Sequence, residues 1–416
     1  MGYTGFEALK EMSQKAGLKT YSIQSLFPVI RPFEYSGSRV LLGWDRAGKP
    51  VWMDIRTSKI VLIVGKRGCG KTFIMRALAD RLYMSNHIPV ILTDIKGEYR
   101  SSRNPVQDKF RQLLSDGEKP TGFDVKSYFP VFLQKYSPSA QRDDDLCQLS
   151  LSMINIYDLM TLLGFDDDTS STKKELLMRA FRKLEERNAF TYLDLEHEIW
   201  DDIEGNTSTK ESVVASLKTA YQEGILGDQF SDFSFVEDIL NGKRPVLNLS
   251  GYYKMGQNIG YPSAFVSVLA REVIESKKRG EIEQGIKIFY FIDEAHRWVP
   301  AVGNSAAKRT LLNIAREERS SGVSLICATQ SIGSVDETIR KQASVILFPW
   351  NIDAPTVIGI MKDIGLYERY GRFSDNLNRN LQGLRSREWV MVDADKRDLK
   401  IISRIASPLS MHEEEI

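Results

Sequence analysis

Eight consecutive residues, Gly65-Lys66-Arg67-Gly68-Cys69-Gly70-Lys71-Thr72, match the pattern G-x-x-x-x-G-K-[ST]. In such a segment the glycines let backbone N–H groups turn inward and cradle phosphate oxygens. The N-terminus of a following helix adds positive potential. Lys71 supplies a point charge for the β- and γ-phosphates, and the Thr72 hydroxyl can hold Mg²⁺. Phe73, next in the helix that would follow, completes the candidate nucleotide-binding residues 65–73. A second chemical cluster is Asp293-Glu294, at the end of the apolar run IFYFI. Two carboxylates at the end of a buried strand can orient Mg²⁺ (Asp293) and polarise an attacking water (Glu294). A third element, Thr329-Gln330, ends the run VSLICA, where a polar side chain can sense a γ-phosphate. Asp94 and Glu98, in TDIKGEY, end another apolar run. They fit the same edge, and a turn capped by an aspartate explains them nearly as well.

Such groups converge only if strands and helices bring their ends together. IVLIV (60–64) and PVILTD (89–94) are continuous apolar runs of the kind buried on both faces of a parallel sheet. Between them TFIMRALADRLYM (72–84) has helical spacing. This βαβ unit predicts an α/β sheet with a right-handed crossover. Further strands are expected at 245–249, 287–292, 323–328 and 344–348, and helices at 262–279 and 306–320. REWVMV (387–392) and LKIISRI (399–405) read as an antiparallel edge pair. Residues 101–240 break the alternation. Apolar residues there recur at helical spacing, and Thr172 with Glu175 reads as a capping box. The expected organisation is a helix and β-hairpin in 1–58, a core in 59–100 and 241–405, a mostly helical insertion in 101–240, and a short acidic tail in 406–416.

Lys+Arg number 56 and Asp+Glu 55, so the formal charge of +1 excludes a globally basic surface, though not a local basic channel. Cys69, Cys147 and Cys327 are widely spaced and lack a CxxC, which reads as reduced thiols in a cytoplasmic protein. No apolar run approaches the roughly 20 residues of a membrane span.

The DEAH tetrapeptide (293–296) raises the DEAH-box helicases, built from two tandem lobes. Lys71 and Asp293 are 222 residues apart, about twice the separation in those enzymes, and only 120 residues follow His296. Instead the chain resembles the HerA–FtsK superfamily of ring-forming DNA-pumping ATPases, and its HerA branch most closely. Five elements carry the resemblance in order: LLGWDRAGKPVWMDI, IVGKRGCGKTF, TDIKGEY, FIDEAH and AREERSSGVSLICATQ. It covers residues 39 to about 405 apart from the insertion.

The resemblance implies a RecA-like P-loop NTPase fold, with a mainly parallel central sheet flanked by helices. It implies a homo-hexamer that hydrolyses ATP with Mg²⁺ and threads DNA through its pore. Lys71 and Thr72 would bind the nucleotide and metal, Glu294 would be catalytic and Gln330 a sensor. Arg319, with Arg316 second, would reach the site of the neighbouring subunit. The alternative is a ring ATPase that powers protein assembly, secretion or packaging. Only 64 residues precede Gly65, so the full N-terminal barrel of the HerA branch, its docking platform for a nuclease, is not expected here. A nuclease or other DNA-processing protein stays a candidate partner. For DNA, the loops GYYKMGQNIGY (251–261) and HRWVPAVGNSAAKR (296–309) mix basic and aromatic residues. They make Lys254, Arg297, Lys308 and Arg309 the candidates for backbone tracking. Trp298 reads better as a packing residue.

Overall fold

The computed structural model describes residues 38–411, apart from 87, 108–113, 115–117, 138–143, 166–169, 186–189, 228–234, 256–259, 318–321, 366–383 and 385–386. In chain order the strands are β1 (Arg39–Trp44), β2 (Pro50–Asp54), β3 (Ile60–Val64), β4 (Val90–Asp94), β5 (Val125–Pro130), β6 (Asp145–Cys147), β7 (Arg244–Asn248), β8 (Ile288–Ile292), β9 (Val323–Thr329), β10 (Val345–Pro349), β11 (Trp389–Asp393), β12 (Asp398–Ile402) and β13 (Arg404–Ile405). The α-helices are α1 (Lys71–Asn86), α2 (Ile156–Leu162), α3 (Ser171–Glu185), α4 (Tyr192–Asp201), α5 (Thr207–Gln222), α6 (Phe235–Leu240), α7 (Gly260–Lys278), α8 (Ala306–Arg316), α9 (Glu337–Lys341) and α10 (Ala354–Asp363).

Ten strands form the central sheet, in the order β12-β11-β10-β3-β9-β8-β4-β7-β5-β6. From β10 to β6 every pairing is parallel. β11 and β12 add an antiparallel margin. The central strands are buried along their whole length because both faces are covered. In β3, Ile60, Leu62 and Val64 join a core with α7, α8 and the helices of the insertion. Val61 and Ile63 face the opposite core, with α1 and the β1–β2 hairpin. Strand alternation thus divides one apolar run between two cores.

The helix–strand alternation of the core appears as expected. The antiparallel terminal pair is also present, but its last residues differ. After β12 the chain leaves the central sheet, and β13 pairs with β1 in a separate three-stranded sheet, β13-β1-β2. The Arg404 guanidinium lies 4.1 Å from the centre of the Trp44 ring across this junction. The helix expected at the start of 1–58, over residues 5–16, lies outside the described residues, and the hairpin that follows it is β1–β2.

The described residues of 101–240 hold five α-helices, and also β5 and β6, which extend the central sheet at its far edge. The Thr172–Glu175 capping box is not the one that forms. Helix α3 already starts at Ser171, which places Thr172 inside its first turn. The capping box of this region is Thr191 with Asp194, which starts α4. Among the described residues no helix is long and apolar enough to cross a membrane.

One buried polar cluster ties α1 to distant chain. Asp80 accepts from Arg244 at 2.8 Å and from the backbone N–H groups of Leu409 and Ser410, each at 3.0 Å. Arg76 donates to Ser410 Oγ, to the carbonyl of Glu98 and to Ser101 Oγ. Arg244 and Asp80 are 1% and 0% exposed, so removing one leaves the other charged and unpaired in the interior. Asp80→Ala should therefore cost about 3–5 kcal/mol of stability, read as a lowered urea midpoint. A loss below about 1 kcal/mol would mean that water reaches Arg244.

Candidate active site

The loop after β3 is shaped by its glycines. The Gly65 N–H donates to the Thr329 carbonyl on β9 at 3.1 Å. A Cβ at Gly65 would stand 2.6 Å from Cys69 Sγ and 3.0 Å from the Pro349 ring, so any side chain there displaces the loop. Gly68 and Gly70 have φ of 77° and 96°, in the left-handed region that only glycine enters without strain. The loop leads into α1, which begins at Lys71 and has no acidic residue in its first turn to offset its positive end. Lys71 is buried, and its Nζ donates to the carbonyls of Gly65 (2.7 Å) and Lys66 (3.2 Å), closing the loop on itself. Thr72 and Phe73 are half-buried, and Lys66 and Arg67 are exposed.

Strand β9 lies between β3 and β8, with Val64 opposite Thr329 and Ile292 opposite Cys327. This order brings the three sequence signatures to one edge. Asp293 and Glu294 leave β8 buried, at 2% and 5% exposure. Glu294 adopts φ 49° and ψ 49°, a left-handed conformation costly for a non-glycine residue and common at functional turns. Gln330 reaches across from β9, with Nε2 donating to Glu294 Oε1 (3.1 Å) and Oε2 (3.3 Å). The turn is braced from beneath by Trp298, which is fully buried and donates from Nε1 to the Asp293 carbonyl at 2.9 Å. Trp298 is a packing strut.

Electrostatics sharpen this edge. Burial pushes the Asp293 carboxyl up to about 6, against the pull of Lys96. Burial likewise lifts Asp94 to about 6, although backbone N–H groups of its own turn oppose it. Asp94 Oδ1 accepts from Lys96 and Gly97, and Oδ2 accepts from Tyr99. Its carboxylate is thereby committed to holding the TDIKGEY turn. In an unfolded chain both groups would titrate near pH ~3.9. The fold binds more protons between about pH 4 and 6, so these two groups make stability fall as pH rises through that window.

Three neighbours lie within the segments TDIKGEY, GYYKMGQNIGY and FIDEAH but have no role assigned from sequence. Burial works against the Lys96 ammonium, but Asp293, Glu98 and Glu294 together outweigh it and raise its pKa. His296 Nδ1 lies 3.4 Å from Glu294 Oε2, and burial holds the imidazole pKa down. Tyr253, half-exposed, stacks under Arg297 with 4.7 Å between the guanidinium carbon and the ring centre. Lys96 was legible as the basic residue in the turn after β4. His296 is two residues from Glu294, whereas the place of Tyr253 depends on a contact between distant segments.

The remaining candidates separate. Lys254 is exposed in the turn Tyr252–Met255 after β7. Arg297 follows β8 and lies over both Tyr252 and Tyr253. Arg309 is exposed on α8, its guanidinium 4.6 Å from the Tyr157 ring centre. Lys308 is engaged within the chain: its Nζ donates to the carbonyls of Pro300 (2.8 Å) and Gly303 (3.0 Å), and pairs with Asp336 at 3.1 Å. Three donors with three partners make it a brace of the 300–303 loop. Arg316 is exposed in the last turn of α8. That turn precedes β9, whose Leu325 pairs with Ile60 at the start of β3. Arg316 thus lies toward the sheet edge opposite the phosphate loop, about 16 Å away along five residues of strand. Arg319 lies outside the described residues.

A glycine loop closing on a helix, two strand-end carboxylates and a glutamine from the strand between them define a RecA-like P-loop ATPase fold. The family model described as "Helicase HerA, central domain" matches residues 41–273, more than half of the sequence, and the chain belongs to that family. VirB4 of Thermoanaerobacter pseudethanolicus shares the fold, with a TM-score of 0.55 and 16% identity over 90% of this chain and 98% of that one. Plasmid coupling protein TrwB in complex with ADP and Mg²⁺ shares it as well, with a TM-score of 0.56 and 14% identity over 93% of this chain and 92% of that one. No curated protein matches the sequence.

Proposed function

We propose that this chain is the subunit of a homo-hexameric, ATP-hydrolysing motor of the HerA type that moves DNA through a central pore. The observation that carries the reading is the hydrogen bond from Gln330 to Glu294, which joins the strand beside the phosphate loop to the catalytic carboxylate. In this reading, residues 65–70 cradle the phosphates and Lys71 turns from its own loop to the β/γ-phosphates. Glu294 polarises water, and Gln330 reports the γ-phosphate. The hard oxygen donors Thr72 and Asp293 suit Mg²⁺, and the desolvated Asp293 carboxylate gains most from a cation. Mg²⁺ would neutralise charge developing on the phosphates. Asp293 must be ionised to favour the metal, so Mg²⁺-dependent binding of a fluorescent ATP analogue should weaken about tenfold from pH 7.5 to pH 5. A flat profile would remove Asp293 from the metal site.

Arg316, set toward the far edge of its own sheet, is poorly placed for its own nucleotide. That supports action on a neighbour's site by Arg316, or by Arg319 beyond it. Lys254, Arg297 and Arg309 are the side chains proposed for DNA, and Lys308 supports the loop behind them. ATP turnover should rise on titration with single- or double-stranded DNA, less so at high salt. No stimulation by either, at any salt concentration, would reject DNA as the cargo. A protein-assembly or secretion motor would then be the reading left, consistent with the near-neutral charge.

A further inference from the structure

Helix α4, in the segment between β6 and β7, is buried on one side only. Leu195 and Ile199 are fully buried, and the helix packs on α3 and α5. On the opposite side Leu193 is 71% exposed and Trp200 41%, and Ile203, just past the helix end, is 98% exposed. Leu193 and Trp200 are seven residues apart, two helical turns or about 10 Å, and share one face. The face is held firmly. The capping box of Thr191 and Asp194 fixes its start. At its end, Lys210 donates to the Trp200 carbonyl at 2.8 Å, and Asp202 accepts from Arg179, Glu204 and Gly205. A rigid apolar strip with a central tryptophan has the character of a binding hot spot.

Its surroundings are mainly acidic, with the Lys210 ammonium at the Trp200 carbonyl as a cation beside the strip. Residues 191–205 include Asp194, Glu196, Glu198, Asp201, Asp202 and Glu204, with no lysine or arginine. Arg179 and Lys183 of α3 engage Asp202, Glu204 and Glu198 from the inner side. Asp201, 62% exposed, sits beside His197 on the rim. We propose that this face is a docking site for a basic amphipathic helix of a partner protein, whose apolar side covers Leu193, Trp200 and Ile203 while its lysines or arginines meet the acidic rim. DNA phosphate would meet like charge here, and a second copy docking face to face would set acid against acid. The inference is independent of whether DNA is the motor's cargo.

The test uses the full chain and a fluorescein-labelled leucine–lysine peptide of about five helical turns, with a leucine–glutamate peptide of the same pattern as control. Anisotropy should show the lysine peptide binding at least about tenfold more tightly than the control. Hydrogen exchange should slow over residues 192–204. Leu193→Ser with Trp200→Ser should weaken binding about tenfold, and so should Glu196→Lys with Asp201→Lys, which leaves the apolar strip intact should the first pair disturb folding. Equal binding of both peptides, protection elsewhere, or affinity unchanged in the charge variant would overturn the proposal. Protection of the same residues by a DNA duplex would assign the face to nucleic acid instead. Self-association of the wild type that Leu193→Ser with Trp200→Ser abolishes would assign it to a second copy.

Discussion

Glu294→Gln should reduce ATP turnover by about 10²–10⁴-fold while nucleotide binding persists. The substitution keeps the size and planarity of the side chain and removes the charge proposed to polarise water. It also replaces a charged acceptor with a neutral one for the Gln330 amide, now 3.1 Å away. The loss corresponds to about 3–5 kcal/mol of transition-state stabilisation. The informative comparison pairs single-turnover hydrolysis with equilibrium binding of ATP. If turnover persists within a few-fold of wild type, Glu294 is not the group that activates water. If binding disappears as well, Glu294 serves the architecture of the turn, where its left-handed backbone already marks a constrained position.

Complementation should rescue two inactive proteins. Lys71→Ala removes the ammonium proposed to bind phosphate. Arg319→Ala or Arg316→Ala removes the candidate trans-acting cation, a loss expected to cost about 10³–10⁵ in rate. Each variant alone should be nearly silent. In rings mixed at equal ratio, roughly a quarter of the interfaces join an intact loop to an intact arginine, and activity should return in that proportion. Running the two arginine variants separately identifies which one acts. Arg316 has the clearer structural argument, since α8 ends toward the edge where β3 begins. Failure to recover activity at every ratio, with rings formed, would sink the trans assignment for both residues.

The core was legible because its signals are local. IVLIV could be read as a strand buried on both faces without knowing its neighbours, and the glycine spacing after it has few structural meanings. Asp293 and Glu294 were legible from the apolar run before them. What joins these pieces was not local. That β9 separates β3 from β8, and so carries Gln330 to Glu294, is a property of strand order. β5 and β6 went unread because VKSYFP carries a lysine and ends in a proline, and β6, at the sheet edge, spans three residues. Lys308 shows the limit from another side. A lysine in a basic, aromatic loop looks available for phosphate until the carbonyls of Pro300 and Gly303 are seen to occupy it.

The two margins of the described chain meet mechanically. β1 at its beginning pairs with β13 near its end, through Gly43 opposite Ile405 and Trp44 opposite Arg404. A few residues later Leu409 and Ser410 are anchored to Asp80 on α1. A load applied beyond Met411 would therefore pass through two anchorages, the 101–105 segment that bonds Met411 and the helix that carries the phosphate loop. The residues around position 410 are thus mechanically coupled to the phosphate loop.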